Sequence, residues 1–279
     1  MATPQTWFIT GASQGLGLAL TRHLLAAGHR VAATSRRLDS LMQAISGPTA
    51  AFLPLQMDLV DEASVAQAVQ AALAAFGRLD VLVNNAGYGV GGSVEELTDA
   101  EARAAFEVNV FGALNVVRQA LPHLRRQGAG HLINVSSIAG LAPLPGWGIY
   151  SAAKFALEGW SESLAQEVAP FGLKVTVVEP GGLRTNFLTP EALTMARQPL
   201  PAYENIRIAH AQLLAKNGQQ IGDPDKAATA IMRVAAEAQP PLRLVLGTDA
   251  YERAQQHLHT QQQELTAWQG VSTAIGFED

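Results

Sequence analysis

Short apolar runs rich in β-branched residues alternate along this chain with longer stretches rich in alanine and leucine. The short runs are apolar at most positions, as in strands that are buried on both faces of a parallel sheet. Strands are predicted at residues 7–10, 30–34, 52–56, 80–83, 131–135, 174–178 and 242–246, and helices at about 15–27, 61–76, 99–126, 150–169 and 224–238. The alternation predicts an α/β, doubly wound fold that forms one domain over residues 1–279.

Capping residues mark several of the predicted helix ends. Gly28 lies where a glycine would end the first helix, and Asp61 or Ser64 can begin the second. Asp99 precedes an alanine-rich run as an N-cap would. Asp223 is followed by a proline, which suits an N-cap with proline at the first helical position.

Residues 183–222 interrupt the alternation. The segment contains Pro190, Pro199 and Pro201 and no convincing strand. A long irregular segment in a compact domain is usually functional or mobile, so we predict a substrate loop or lid there.

The tail at about residues 248–270 is predicted to be helical. Tyr251, Ala254, Leu258, Leu265 and Trp268 recur at helical spacing and form one apolar stripe. We expect the stripe to pack against its own domain, with an oligomer contact as the alternative.

Composition excludes several classes of protein. The 279 residues contain no cysteine, which excludes disulfides, thiolate zinc sites and cysteine nucleophiles. The net charge is -5 and the basic residues form no long run, so a nucleic-acid partner is not expected. A membrane partner is not expected either, since no apolar stretch could span a bilayer. His257 and His259 point apart on a helix, so no metal site is predicted. A strand begins close to the N-terminus and leaves no room for a signal peptide, which favours a cytoplasmic protein.

A glycine-rich loop joins the first predicted strand to the first predicted helix, and it reads Thr10-Gly11-Ala12-Ser13-Gln14-Gly15-Leu16-Gly17. Its glycines allow the sharp turn and close approach that a pyrophosphate needs, and the helix N-terminus offers free N–H groups. The spacing G-x-x-x-G-x-G differs from the usual G-x-G-x-x-G. Its position within a βαβ unit predicts a dinucleotide site that includes Gly11, Ser13, Gln14, Gly15, Leu16 and Gly17.

The end of the second strand distinguishes the two nicotinamide cofactors. It reads Thr34-Ser35-Arg36-Arg37 and contains no carboxylate for a ribose 2′-hydroxyl. Arg36 can instead pair with a 2′-phosphate, with Ser35 beside it. The sequence therefore predicts NADP(H) as the cofactor.

Tyr150 and Lys154 are four residues apart and lie on one face of a predicted helix. A lysine ammonium near a phenol favours the phenolate, and a bound cationic cofactor would add to that effect. The pair therefore predicts a tyrosine whose pKa is lowered enough for proton exchange near neutral pH.

These motifs together resemble the short-chain dehydrogenase/reductase family. The resemblance extends from about residue 6 to residue 185, and more loosely to residue 246. The motifs are Thr10-Gly11-x-x-x-Gly15-x-Gly17, Asp58 in Met57-Asp58-Leu59, Asn84-Asn85-Ala86-Gly87, Asn109, Ser137, Tyr150-x-x-x-Lys154 and Pro180-Gly181-x-x-x-Thr185. The glycine spacing is similar to that of the single-domain oxidoreductase branch. The resemblance implies a Rossmann-type, seven-stranded parallel sheet with helices on both faces.

The resemblance implies four catalytic roles. Tyr150 is the general acid in reduction and the base in oxidation, and Lys154 lowers its pKa and hydrogen-bonds the nicotinamide ribose. Ser137 hydrogen-bonds the substrate oxygen. Asn109 holds a water that links Lys154 to solvent. Ser136 is the rival for the serine role, and we expect it instead to form a backbone hydrogen bond.

The resemblance also implies cofactor contacts at the ends of three further strands. Asp58 and Leu59 contact the adenine. Asn85, Ala86 and Gly87 line the cofactor groove, with Pro180, Gly181, Leu183 and Thr185 at the nicotinamide end. For Thr185 the alternative is a loop hydrogen bond, and Asn84 is expected to be structural.

The predicted activity is hydride transfer between NADPH and the carbonyl group of a ketone or aldehyde, reversibly. Negative charge grows on the carbonyl oxygen, which needs a proton donor and a second fixed donor. The predicted pocket walls are largely apolar, with Trp147 and Phe187 as substrate contacts beside Ser137 and Tyr150, so a hydrophobic small molecule is expected. The alternative is a catalytically silent NADP-binding regulatory or structural protein on the same fold. A homo-oligomer, dimer or tetramer, is implied by the resemblance.

Overall fold

The computed structural model describes residues 4–45 and 50–277 as an α/β domain. The strands are β1 (Thr6–Ile9), β2 (Arg30–Ser35), β3 (Phe52–Gln56), β4 (Val81–Asn84), β5 (Gly89–Gly91), β6 (Gly130–Val135), β7 (Leu173–Pro180), β8 (Leu193–Met195) and β9 (Arg243–Leu246). The α-helices are α1 (Gly15–Ala26), α2 (Leu38–Ala44), α3 (Glu62–Phe76), α4 (Asp99–Phe106), α5 (Ala113–Gln127), α6 (Gly148–Val168), α7 (Glu204–Leu214), α8 (Pro224–Ala236), α9 (Thr248–Ala267) and α10 (Gln269–Thr273).

Seven strands form one parallel sheet in the order β3-β2-β1-β4-β6-β7-β9, as predicted. The chain winds outward in both directions from β1 and β4. In such sheets ligands bind beyond the carboxyl ends of the strands, at the point where the winding reverses. All seven carboxyl ends lie at one edge, and this edge collects the loops that follow the strands.

The central strands are apolar at most positions because both faces of the sheet are covered. In β1, Trp7 and Ile9 pack with residues of α1 and α8 on one face. Phe8, between them, packs with residues of α3 and α5 on the other. All three side chains are almost completely buried, which explains why the strands read as continuous apolar runs.

Three of the predicted helix caps are confirmed and one is wrong. Gly28 follows α1 with φ +83°, Asp61 caps α3, and Asp223 caps α8 through the N–H groups of the next turn. The predicted cap at Asp99 lies one residue too late. Thr98 caps α4 instead, in a reciprocal pair of bonds with Glu101, and Asp99 is the first helical residue.

The long helix predicted at 99–126 is interrupted. A π-helical segment, Glu107–Gly112, separates α4 from α5 and contains Asn109. Insertions of this type occur often at functional sites. Hydrophobic spacing across 99–126 did not reveal the interruption, because the flanking turns keep an apolar face on both sides of it.

The 183–222 segment is more regular than predicted. It contains α7 and the short strand β8, which pairs in parallel with β5. Three residues are too few to show a strand period. The pairing needs glycines, because a Cβ at Gly89 or Gly91 would crowd Leu193 and Met195.

The expectation that the C-terminal stripe packs on its own domain is wrong for most of its length. Only Ala250 and Ala254 of α9 are buried, against Ile138 and Ala142. The large apolar residues of the stripe are each more than half exposed: Tyr251, Leu258, Leu265 and Trp268. The helix continues beyond the edge of the domain, so its apolar face lacks a surface to cover it within the described residues.

Candidate active site

The predicted site residues gather at the carboxyl edge of the sheet. The glycine loop follows β1, Ser35 ends β2 and Arg36 follows it, and Asp58 and Leu59 follow β3. Further along, Asn85–Gly87 follow β4, Ser137 follows β6, and Pro180–Thr185 end and follow β7. Tyr150 and Lys154 lie on α6, and Asn109 lies in the π-helical segment.

The glycine loop has the features of an anion-binding turn. Gln14, the N-cap of α1, makes no side-chain capping bond, so the first N–H groups of the helix remain available to a ligand. Gly11 and Gly15 adopt φ of +66° and +57°, which favours glycine. A cavity of about 420 Å³ adjoins the loop, and Arg184 and Thr185 contribute to its wall.

The loop after β4 is fastened to the glycine loop. The hydroxyl of Thr10 accepts hydrogen bonds from the N–H groups of Asn85 and Ala86, each at 3.0 Å. The Asn85 amide donates to the carbonyls of Thr10 and Gly11 at 2.9 and 3.1 Å. A Cβ at Gly11 would lie 2.8 Å from Ala86 Cα, so the two loops meet at backbone distance and form a groove floor.

The end of β2 presents hydroxyl and guanidinium groups. The Ser35 hydroxyl donates to that of Ser13 at 3.2 Å, which joins this strand end to the glycine loop. Arg36 is exposed, and its charge lowers the pKa of Tyr88 against the larger, opposing effect of burial. Arg37 also is exposed, and its charge acts on Glu191. Of the two arginines, Arg36 is thus the one whose charge acts on Tyr88, the residue that follows the Asn85–Gly87 loop.

Tyr150 and Ser137 form the centre of the candidate site. Tyr150 is 6% exposed, and its phenol lies beside the Ser137 hydroxyl. Burial raises the pKa of Tyr150 to about 12, and the neighbouring Ser137 hydroxyl opposes that rise. The protein alone therefore keeps this phenol protonated.

Lys154 is buried beside the phenol. Its Nζ lies 5.8 Å from the centroid of the Tyr150 ring and donates to the carbonyl of Val135 at 3.0 Å. Burial lowers the pKa of Lys154 to about 8, and the charge of Glu158 raises it. The tyrosine pKa near neutrality predicted from this lysine is not found in the protein without cofactor, because desolvation raises the pKa of the phenol more than any other influence changes it.

Asn109 is held mainly by backbone groups. Its amide donates to Ala105 O at 2.9 Å and to Tyr88 O at 3.2 Å, and its Oδ1 accepts from Tyr88 N at 3.2 Å. A Cβ at Gly87 would lie 2.6 Å from Asn109 Oδ1 and 3.5 Å from Lys154 Nζ. The lack of a side chain at Gly87 thus leaves a polar opening between the amide and the ammonium.

The two adjacent serines have separate partners. Ser137 faces Tyr150, whereas the Ser136 hydroxyl donates to the Glu158 carboxylate at 2.7 Å. The predicted backbone bond of Ser136 is present through its N–H, which donates to Val178 O at 2.7 Å. The carboxylate partner of its side chain was not predicted, because the packing of α6 against β6 cannot be read from spacing.

Two other polar residues behave largely as expected. Asn84 is buried, and its amide donates to Asn134 Oδ1 at 2.9 Å. The Thr185 hydroxyl accepts from Phe187 N at 3.3 Å, and the same side chain lies 3.5 Å from a Cβ built at Gly15. Thr185 therefore combines a loop hydrogen bond with a place beside the glycine loop.

Aromatic rings surround Tyr150. The ring centroids of Trp147 and Phe187 lie 6.0 and 5.9 Å from that of Tyr150. His210 of α7 lies 5.2 Å beyond Trp147 and was missed, because α7 itself was not predicted from the sequence. The surroundings of the phenol are largely apolar on this side.

Residues 4–45 and 50–277 bring together no three histidine, aspartate or glutamate side chains that could hold a metal ion. Within the same ranges, every helix is too short or too polar to cross a membrane.

Comparison with known proteins identifies similar chains. A family model described as short chain dehydrogenase matches residues 5–195. Oxidoreductase BOA17 of Botryotinia fuckeliana is 37% identical over 270 residues, which covers 96% of this chain and 98% of that protein. A 3-ketodihydrosphingosine reductase of Bacteroides thetaiotaomicron is 36% identical over 244 residues, or 88% of each chain.

Solved structures show the same fold. A short-chain dehydrogenase from Streptomyces avermitilis has a TM-score of 0.90 and 39% identity, and covers 98% of this chain and 99% of its own. A short chain dehydrogenase from Burkholderia cenocepacia in complex with NADP has a TM-score of 0.74 and 29% identity, over 95% and 97%. A 3-ketoacyl-(acyl-carrier-protein) reductase from Brucella melitensis complexed with NADH has a TM-score of 0.73 and 26% identity, and the match covers 86% of this chain and 96% of its own.

Proposed function

The chain belongs to the short-chain dehydrogenase/reductase family of oxidoreductases, and on that premise we propose that it transfers a hydride between NADPH and the carbonyl group of a hydrophobic small molecule. One observation carries the proposal. A buried, protonated phenol, Tyr150, lies beside the hydroxyl of Ser137 at the same sheet edge as a glycine loop shaped for a pyrophosphate.

The arrangement suits general acid catalysis. When bound, the reduced nicotinamide supplies the hydride to the carbonyl carbon. Tyr150 donates its proton to the carbonyl oxygen as negative charge grows there, and Ser137 holds that oxygen with a second hydrogen bond. Lys154 stabilises the phenolate left behind, and the opening at Gly87 between Lys154 and Asn109 gives the returning proton a route. The product is an alcohol, and the reverse reaction uses Tyr150 as the base.

We propose NADP(H), with preference over NAD(H). Arg36 supports this preference because it follows Ser35, whose hydroxyl joins the end of β2 to Ser13 of the glycine loop. A guanidinium binds a phosphate through charge-assisted hydrogen bonds, whereas a ribose 2′-hydroxyl is normally held by a carboxylate. One relative of known structure is complexed with NADP and another with NADH. We therefore base the choice of cofactor on the end of β2.

The proposed substrate is a hydrophobic ketone or aldehyde. The rings of Trp147 and Phe187 beside Tyr150 support an apolar carbonyl compound. The name of the Bacteroides relative, a ketodihydrosphingosine reductase, is in line with a ketone of this kind. An NADPH-consumption screen over aliphatic, aromatic and steroid-like carbonyl compounds tests the proposal, and turnover only of charged, polar compounds contradicts it.

The competing hypothesis is a catalytically silent NADP-binding protein on the same fold. The complete set of Asn109, Ser137, Tyr150 and Lys154 favours the enzyme. NADPH binding without oxidation of NADPH in the presence of any carbonyl compound would favour the silent protein.

We also propose a homo-oligomer and a cytoplasmic location. The exposed apolar residues of α9, such as Leu258 and Leu265, support self-association, since large apolar patches on soluble proteins usually mark interaction sites. Light scattering coupled to gel filtration tests the oligomer, and the mass of a single chain at micromolar concentration contradicts it. The chain contains no cysteine and so needs no oxidising compartment to form disulfides, which is compatible with the reducing cytoplasm.

A further inference from the structure

A buried charged cluster lies beneath the candidate active site. Glu158 follows Lys154 by one turn of α6 and is 3% exposed. Its carboxylate accepts a hydrogen bond from the Ser136 hydroxyl at 2.7 Å and pairs with Arg243 of β9. Arg243 also pairs with the fully buried Glu179 of β7 at 3.0 Å. The proposed chemistry does not yet use any member of this cluster except Lys154.

The charges of this cluster balance only when Lys154 is counted. Lys154 and Arg243 supply two positive charges, and Glu158 and Glu179 supply two negative charges. The Arg243 side chain is 35% exposed, so Lys154 is the buried cation of the cluster. A further carboxylate, Glu162, meets Arg243 at 2.9 Å but is half exposed and therefore solvated. A buried cation without a matching anion loses its proton readily.

Glu158, one helical turn from Lys154, is the carboxylate whose charge acts on the lysine. Its direct hydrogen-bond acceptor, the Val135 carbonyl, carries no formal charge. Burial lowers the pKa of Lys154, and the charge of Glu158 is the influence that raises it. Burial also raises the pKa of Glu158 itself to about 7, so above that pH the carboxylate is ionised while Lys154 is still titrating.

The same carboxylate is joined to the strand end that carries Ser137. Ser136, the neighbour of Ser137, donates its hydroxyl to Glu158. A Cβ at Gly140, in the turn after Ser137, would overlap the Glu158 carboxylate. The turn that orients Ser137 therefore packs directly on Glu158.

We propose that Glu158 is a positioning residue of the active site, which keeps the buried Lys154 ammonium charged and fixes the turn that presents Ser137 to the substrate. The inference rests on the proposed function, since it assigns Glu158 a role through two residues of that mechanism. Arg243 and the Ser136 hydroxyl hold the carboxylate in place.

The first test measures the lysine without cofactor or substrate. The chain contains four lysines, Lys154, Lys174, Lys216 and Lys226, so NMR of ¹³Cε-labelled lysine gives few signals, and Lys154→Arg assigns the relevant one. Glu158→Gln should lower the Lys154 titration midpoint by about one pH unit, the lower end of the effect of a neighbouring charge. Glu162→Gln, which removes the exposed carboxylate on the same Arg243, is the matched control and should leave it unchanged.

An unchanged Lys154 midpoint in Glu158→Gln overturns the proposal, as does an equal shift in Glu162→Gln. If Glu158→Gln fails to fold, Ser136→Ala replaces it. That variant removes a hydrogen bond that favours the ionised Glu158, so the Lys154 midpoint should fall by a smaller amount. No shift in Ser136→Ala also contradicts the proposal.

The second test follows the rate of alcohol oxidation against pH. The rate rises with pH as the Tyr150–Lys154 pair loses a proton. In Glu158→Gln the Tyr150–Lys154 pair loses that proton at lower pH, and a larger share of the protons lost comes from Lys154. The midpoint of the rate–pH curve should therefore move to lower pH, and the plateau rate should fall. A lower plateau with an unmoved midpoint indicates a purely structural role and contradicts the proposal. Absence of turnover in the wild type would refute the proposed function. The NMR titration of Lys154 would still test the effect of Glu158 on the lysine, because it needs no turnover.

Discussion

The Ser137 hydroxyl lies beside the Tyr150 phenol in a site where the phenol is almost completely buried. Burial disfavours the ionised phenol and the neighbouring hydroxyl favours it, and burial has the larger effect. The protein without cofactor therefore holds Tyr150 as a proton donor, the state that carbonyl reduction requires. Ser137 is placed to bind the same substrate oxygen that receives the proton.

Ser137→Ala should lower kcat for carbonyl reduction by about 10²-fold, because removal of one fixed donor to a developing oxyanion typically costs 10²–10³. Ser136→Ala is the matched control, since its hydroxyl is turned to Glu158. At pH values above about 7, where Glu158 is ionised, Ser136→Ala should keep most of kcat. Steady-state kinetics of both variants measure these changes in kcat. A greater loss of kcat in Ser136→Ala than in Ser137→Ala would reverse the assignment of the two serines.

Arg36→Ala should lower kcat/KM for NADPH by about 10- to 100-fold, because a hydrogen bond to a charged group contributes about 1.5–3 kcal/mol. The value for NADH should change little. Arg37→Ala removes the adjacent, equally exposed guanidinium, which acts on Glu191, and should have a much smaller effect. A wild-type preference for NADH, or equal losses in both variants, would contradict NADP selection by Arg36.

Glu96→Gln should loosen the segment that carries α7. The buried Glu96 carboxylate accepts from Leu200 N at 2.9 Å and from Arg207 at 3.1 Å, and so fastens this segment to the domain. Its backbone hydrogen bonds hold the pKa of Glu96 below the usual range. Amide hydrogen exchange across residues 196–214 should rise about tenfold or more, since charge-assisted bonds are lost.

The control for the loosened segment is Glu95→Gln, which removes the charge from the exposed acceptor of the Tyr203 hydroxyl and should leave exchange nearly unchanged. KM for the carbonyl substrate should rise in Glu96→Gln alone. Equal exchange in Glu96→Gln and the wild type would show that the carboxylate does not hold this segment.

His131 makes stability depend on pH. Burial lowers its pKa to about 4, with the Lys174 charge acting in the same direction. The unfolded histidine has its ordinary pKa near 6.5, so the contribution of the neutral form is complete above pH 6.5. It is lost as the pH falls from 6.5 towards 4, by up to about 3 kcal/mol. Urea unfolding of wild type and His131→Asn at pH 7.5 and 5 measures this loss.

The wild type should lose more stability than His131→Asn between the two pH values. His259→Gln changes an exposed histidine and should follow the wild type. Equal pH dependence in wild type and His131→Asn would show that another group causes the acid sensitivity.

The sequence predicted the parts of the molecule that depend on local periodicity or fixed motif spacing. The seven strands of the sheet are read from short apolar runs, because the central strands are covered on both faces. The cap at Asp223 is predicted because a proline follows it. The gathering of the glycine loop and Ser137 at one edge follows from parallel strands alone.

Features that arise from tertiary contacts were not predicted. Strand β8 is too short to have a period and exists because the glycines of β5 admit it. The pKa of Tyr150 depends on complete burial, which the spacing to Lys154 does not reveal. The partner of the Ser136 side chain, Glu158, lies on another element 22 residues away.

The most direct measurement of the central claim compares Tyr150→Phe with the wild type for NADPH-dependent carbonyl reduction and for NADPH binding. The variant keeps the ring that packs between Trp147 and Phe187 but has no proton to donate. Loss of general acid catalysis should lower kcat by about 10²–10⁴-fold, with NADPH affinity nearly unchanged. A Phe variant that binds NADPH and retains near-normal kcat would contradict the assignment of Tyr150 as the proton donor.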